Sequence, residues 1–284
     1  AQVLIFSPSA VLSSKNDRWN GMKKVSVREP GVSGMFYPDD PTELRQMLGA
    51  YLSKGEGPDI RPKAVVVPHA GYIYSGPIAG SVYSLFSKAK GKIERVVLMG
   101  PAHRVGFFGI AVTSVDAFST PLGLVPVDKE ALASLSSIKQ VHVRDDAHAL
   151  EHSLEVQLPF LQAVLGNFKL VPLLAGDADP AKVAEVLEAL WDGEETLVVV
   201  SSDLSHYNDY DTAIKMDAAT SKAIEGLRPQ DIDFEGACGR IPLAALLLIA
   251  QKRGLHARTI DLRNSGDTAG PKDQVVGYGA YVFE

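Results

Sequence analysis

Short unbroken apolar runs alternate along the chain with stretches whose apolar residues recur three and four positions apart. The runs AVVV at 64–67, RVVLM at 95–99, LVPLLAG at 170–176 and TLVVV at 196–200 read as strands covered on both faces, because an exposed face would demand alternating polar residues. Helical spacing predicts helices from Thr42 to Leu52, over PIAGSVYSLFSKA at 77–89 and over EALASLSSI at 130–138 behind an Asp128 cap. PAKVAEVLEALW at 180–191 and the segments from about Tyr210 to Gly226 and about Ile241 to Arg253 extend that series. Residues 145–166 predict a largely helical stretch that kinks or starts anew at Pro159. Residues 110–127 alternate weakly, as a strand and a long irregular connection would, and two strands are expected at 256–262 and 275–283. Strands alternating with helices predict an α/β protein: one domain, a three-layer sandwich around a largely parallel or mixed sheet. Residues 1–21 lack periodicity and precede Met22-Lys23-Lys24, so they are expected to be an N-terminal extension to a domain spanning 22–284.

Composition narrows the function classes. Hydrophobic residues make up 46% and charged residues 22%, ordinary values for a chain with a substantial core. A net charge of −6 gives no general attraction to nucleic acid or anionic lipid, and no basic aromatic stripe interrupts that picture. The apolar run from Leu243 to Ala250 is far too short to span a bilayer. A single cysteine excludes an intrachain disulfide framework and suits a reducing compartment, and without a secretory pattern the expected location is cytoplasmic.

The chemistry sits at strand ends. His69 follows the first buried run, His103 the second (VVLMGPAH) and His206 another (LVVVSSDLSH). Parallel strands end on one edge of a sheet, where α/β proteins place their ligands, so these histidines are expected to share a cleft. Imidazoles bind borderline metals, and two of them with Cys238 would form an N₂S face. The thiolate favours copper(I) or zinc over magnesium or calcium and leaves iron(II) open. Cys238 precedes Gly239 and Arg240 at the start of a helix, where free N–H groups and an inward-facing Arg240 would favour a thiolate. Asp203 stands three residues before His206 and would orient that ring or raise its basicity for proton transfer.

Tyr72, Tyr74, Phe36 and Tyr37 fit an aromatic pocket wall and fit structural packing equally well. Offsets of four and three would put His148, His152 and Glu155 on one helical face as a rival metal pattern, although the order is not HExxH. A supporting role suits His152 and Glu155 better, with Glu151 or Glu155 fixing a histidine tautomer, and His148 reads as part of a polar face. Ser201, Ser202 and Ser205 lack a GxSxG elbow, and the glycines form neither GxGxxG nor a Walker A loop.

Taken in order, GMFYP, VVPHAGYIYSGPIAG, LMGPAH, VDAFSTPLG, EHSLEVQLPFL, SSDLSH and CGRIPL resemble the Memo family, also labelled AmmeMemoRadiSam system protein B. The resemblance implies a fold like that of the class III extradiol dioxygenases of LigB type. It implies one metal ion, iron(II) or copper(I) with zinc as a third choice, held by His69, His103 and Cys238, beside an acid–base pair of Asp203 and His206. Class III enzymes use a glutamate where Cys238 stands, which argues against simple catechol cleavage. The function implied is a metal-binding protein with a non-heme dioxygenase-like pocket, carrying out oxygen-dependent redox chemistry on a small or aromatic molecule. The alternative is a non-catalytic copper or iron handling or protein-interaction module with an enzyme-like cleft. The label further implies AMMECR1-like and radical SAM companions, and a small molecule or peptide as ligand.

Overall fold

The computed structural model describes residues 25–53, 62–191 and 193–284. The expected extension at 1–21 lies outside them. In chain order the elements are β1 (Val27–Arg28), α1 (Pro41–Leu52), β2 (Ala64–Val67), α2 (Tyr72–Tyr83), β3 (Arg95–Pro101), β4 (Ile110–Val112), β5 (Ala117–Thr120), β6 (Gly123–Pro126), α3 (Lys129–Ser134) and β7 (Val141–Val143). They continue with α4 (Asp145–Ala149), α5 (Leu158–Leu165), β8 (Lys169–Ala175), α6 (Pro180–Ala189), β9 (Thr196–Ser201), β10 (His206–Asn208), α7 (Tyr210–Glu225), α8 (Arg240–Arg253), β11 (Ala257–Asn264) and β12 (Val275–Phe283).

A mixed nine-stranded sheet runs in the order β10-β12-β2-β9-β3-β8-β4-β7, with β11 also paired to β12. Its middle, β2-β9-β3-β8, is parallel throughout, whereas β12 joins β2 and β4 joins β8 antiparallel. A small second sheet, β1-β5-β6, lies beside it. Every residue of β2 and β9 is buried, which explains why these strands are apolar without alternation.

Helices cover both faces, as the end of β9 shows. Ser201 Oγ donates to Ser153 O and accepts from Gln157 Nε2, on the side of α5, while the next residue, Ser202, accepts from Gly239 N at the start of α8. Successive strand residues point to opposite faces, so α5 and α8 lie on opposite sides of the sheet. α1, α2 and α5 pack together in one layer, and α6 packs on α8 in the other. Glycine permits the closest of these contacts. A Cβ on Gly76 or Gly80 would stand 2.5 or 2.7 Å from Tyr51, so α1 can seat on α2 only because those side chains are missing.

Three local expectations change. Residues 110–127 form three short strands rather than one strand and a connection. α2 begins at Tyr72, with Pro77 inside it, so both tyrosines of the YIY run are helical. The 145–166 stretch starts a new helix at Pro159 as expected, α5 beginning at Leu158, but it is also interrupted earlier: α4 ends at Ala149 and a 3₁₀ turn spans Glu155–Gln157. Pro159 thus falls in a first turn, where its missing N–H costs no intrahelical bond. Among the described residues no helix is long and apolar enough to cross a membrane.

Candidate metal centre

β2, β9 and β3 are adjacent and parallel, so their carboxyl ends deliver His69, the Ser201–His206 loop and His103 to one edge. Hydrogen bonds fix how two of these rings stand. Ser201 has one proton, given to Ser153 O at 2.6 Å, so the 2.9 Å contact with His69 must have Nδ1–H of His69 as donor. His69 is 2% exposed, and burial, aided by the nearby His103, pulls its pKa down to about 3, so the ring is neutral and Nε2 carries a lone pair. Glu151 Oε1 lies 3.0 Å from His103 Nδ1, and a carboxylate only accepts, so Nδ1–H of His103 is the donor and Nε2 is the nitrogen turned away from Glu151.

Glu151 is the organising group. Its Oε2 accepts the backbone N–H of His103, and Oε1 accepts those of His152 and Ser153. Burial raises its pKa, but the His103 ring and these N–H groups outweigh burial and hold the carboxyl at about 2.

His152 completes the cluster. One donor nitrogen from each of His69, His103 and His152 lies within 4.8 Å of the others. The His103 and His152 rings stack at 4.8 Å between centroids, and both meet His69 edge-on. Nδ1 of His152 is buried without a hydrogen bond, and its 3.3 Å approach to Glu151 lacks hydrogen-bond geometry. Burial and the facing His69 lower its pKa to about 4. Three clustered imidazoles, of which the buried His69 and His152 are kept neutral and His152 has an unsatisfied nitrogen, are a donor set that fits a borderline first-row metal.

Cys238 stands beside this group rather than within its compact triangle: its sulfur is 3.3 Å from His69 Nε2 and accepts the Asp203 backbone N–H at 3.3 Å. Burial and the Asp203 carboxyl push the thiol up to about 12, so without a metal it is neutral and can donate to His69. Asp203 is itself buried, which raises its pKa, and its Oδ1 accepts the His69 backbone N–H at 2.7 Å. His206 gives Nδ1–H to Leu204 O at 2.8 Å, leaving Nε2 as a base. Tyr207 follows with φ of 59°, a left-handed conformation that is costly for a non-glycine residue at the pocket rim.

A cavity of about 590 Å³ opens in front of the histidines and also takes in Asp203 and His206. Phe36 and Tyr74 line it, and Phe36 meets the His152 ring at 5.0 Å. Tyr72 and Tyr37 do not line it. Tyr72 is 2% exposed with its hydroxyl on Val156 O, and Tyr37 bonds Glu155, so both belong to the packed layer beneath. Arg240 lines an adjoining cleft instead. Glu155 fixes no histidine: it pairs with Arg28 and accepts from Gly31 N, Val32 N and the Tyr37 hydroxyl. His148 is buried and bonds Ala111 O, so the rival His148–His152–Glu155 pattern does not assemble.

Sequence reasoning missed Arg104, Tyr207 and Tyr278 in the cavity wall, and His152 as a member of the cluster. The usable signal was the pair Glu151-His152, an acid able to accept backbone N–H groups next to a ring that burial keeps neutral.

Comparison with known proteins identifies the family. The family model described as Memo-like protein matches residues 28–282. A MEMO1 family protein of Aquifex aeolicus is 38% identical over 272 residues, covering 90% of this chain and 99% of the relative. One from Methanopyrus kandleri is 38% identical over 282 residues, with 90% and 98% covered. The solved structure of an uncharacterized protein from Escherichia coli K12 is similar in fold, with a TM-score of 0.51 at 15% identity, over 78% of this chain and 100% of that one.

Proposed function

The chain belongs to the Memo-like protein family, and on that premise we propose that it binds one metal ion and performs oxygen-dependent redox chemistry on a small molecule with an aromatic part. The observation that carries this reading is the clustering of three imidazoles, one donor nitrogen of each within 4.8 Å of the others, at the wall of a cavity. His69, His103 and His152 would hold the ion, with Cys238 beside His69 as a softer donor. That donor set suits iron(II) or copper(I), with zinc third. When bound, the metal supplies Lewis acidity and a redox centre.

The protein's own groups do the rest. Phe36 and Tyr74 give the aromatic part of a substrate a wall to lie on. His206 Nε2 takes a proton from a substrate hydroxyl, and the Nδ1–H bond to Leu204 O holds the ring in that tautomer. Asp203 positions His69 through its backbone N–H and sets a carboxyl beside His206. The motif series supports a likeness to class III extradiol dioxygenases in this arrangement.

The test is oxygen uptake by protein reconstituted anaerobically with iron(II), screened against catechols and related phenols. His206→Gln is expected to slow uptake by roughly 10²–10⁴-fold with metal content unchanged. No uptake by the wild type across the panel would sink the redox reading. One observation favours metal handling in that event: a neutral thiol pressed on His69 is a soft donor suited to copper(I).

A further inference from the structure

A cleft of about 690 Å³ adjoins the histidine cavity, and none of the clustered histidines lines it. Its volume is in the range of small-molecule sites. Phe108 and Phe234, on its rim, are 79% and 74% exposed, unusual for a residue type that is usually buried, and Phe107 joins them in the wall. Three phenylalanines thus line one opening, and the Phe107 ring also carries the Arg144 guanidinium at 5.6 Å.

Arg240 supplies the only guanidinium in that wall. Its Cζ lies 4.8 Å from the centre of the Phe234 ring, and among the described residues the guanidinium has neither an ion pair nor a hydrogen bond. Asp177 also lines the cleft but forms no ion pair with it. With Cζ resting over the Phe234 ring and no acceptor on it among the described residues, the guanidinium has its N–H fork left for a ligand, and such a fork reads a carboxylate through two parallel bonds. Arg240 is the first residue of α8, whose cap residue Gly239 has no side chain to occupy the helix's positive end.

We infer that this cleft binds a small aromatic carboxylate, the carboxylate on Arg240 and the ring among Phe107, Phe108 and Phe234. The site does not depend on a metal. Cys238 lines the cleft while its sulfur touches His69, so the thiol forms the partition between this ligand and the histidine cluster.

The experiment is a ¹⁹F NMR titration of the full chain with 4-fluorobenzoate and with neutral 4-fluorobenzyl alcohol. The acid is expected to bind the wild type at least about tenfold more tightly than the alcohol, and Arg240→Met is expected to erase that preference. Arg104→Met, which removes the arginine of the neighbouring cavity, is expected to leave binding unchanged. If Arg240→Met fails to fold, Phe234→Ala at an exposed position is read instead, with about threefold weaker binding of the acid expected. A preference for the acid retained in Arg240→Met, acid binding undiminished in Phe234→Ala, acid binding lost in Arg104→Met, or acid binding weaker than about 10 mM in the wild type overturns the assignment.

Discussion

The Glu151 carboxylate grips His103 twice, through the ring Nδ1–H at 3.0 Å and through the backbone N–H at 2.5 Å. The same group takes the N–H of His152, so one side chain sets two of the three clustered histidines. In Glu151→Gln the side-chain amide must turn an NH₂ toward N–H donors that now meet a carboxylate. Metal affinity is expected to fall about 10–100-fold, as measured by chelator competition, with the fold retained on circular dichroism. An unchanged affinity would show that the grip on His103 has no bearing on metal binding.

Glu155 anchors the 31–37 segment that carries Phe36 to the cavity. It is fully buried and satisfied by Arg28, two backbone N–H groups and the Tyr37 hydroxyl. Glu155→Gln removes the charge facing Arg28 and is expected to cost about 3–5 kcal/mol in denaturant unfolding. Tyr37→Phe, which removes one neutral donor to that carboxylate, is expected to cost about 1–3 kcal/mol. Equal costs for the two would contradict the ion pair as the main anchor.

The pH dependence of stability has a traceable source in His148, outside the cluster. Burial, opposed by the bond to Ala111 O, lowers its pKa from 6.5 to about 4. Between those values the unfolded chain binds the proton and the native ring does not, so stability is full above about pH 6.5 and declines as the pH falls toward 4. The full effect of this residue is about 3 kcal/mol. Asp217 works in the opposite sense: burial raises its pKa to about 6, so its contribution is present at low pH and is lost as the pH rises through 6. Unfolding free energies at pH 7, 5.5 and 4.5 are expected to fall less steeply in His148→Gln than in the wild type. Parallel curves would rule out this ring as a source of the acid loss.

The buried parallel strands were legible because a strand covered on both faces has no freedom to alternate, and β2, β3, β8 and β9 all lie where continuous apolar runs predicted them. The meeting of His69 with His103 followed from topology, since both close adjacent parts of one parallel sheet. His152 was not legible in the same way. Its position depends on the chain leaving helical geometry after Ala149 and resuming it at Leu158, and helical periodicity read across 145–166 put its neighbours on the wrong face. The tyrosines misled for a related reason. Tyr72 and Tyr74 both lie on α2, yet Tyr72 is buried against Phe160 while Tyr74 lines the cavity, a difference set by packing layers far apart in sequence. Arg240 lies two residues after Cys238 and both line the cleft beside the histidine cavity, but the thiol also contacts His69 whereas the guanidinium turns to Phe234.

Bound metal, measured by elemental mass spectrometry on protein purified without oxygen, bears most directly on the three-histidine centre. The wild type is expected to carry close to one ion per chain, and His69→Ala, His103→Ala and His152→Ala are each expected to lose most of it while remaining folded. Cys238→Ser, which changes a donor next to the triangle, is expected to bind more weakly but still measurably. Full metal content in folded His69→Ala and His103→Ala protein would contradict a metal centre at these strand ends, and full content in His152→Ala with complete loss in Cys238→Ser would replace His152 by the thiol as the third donor.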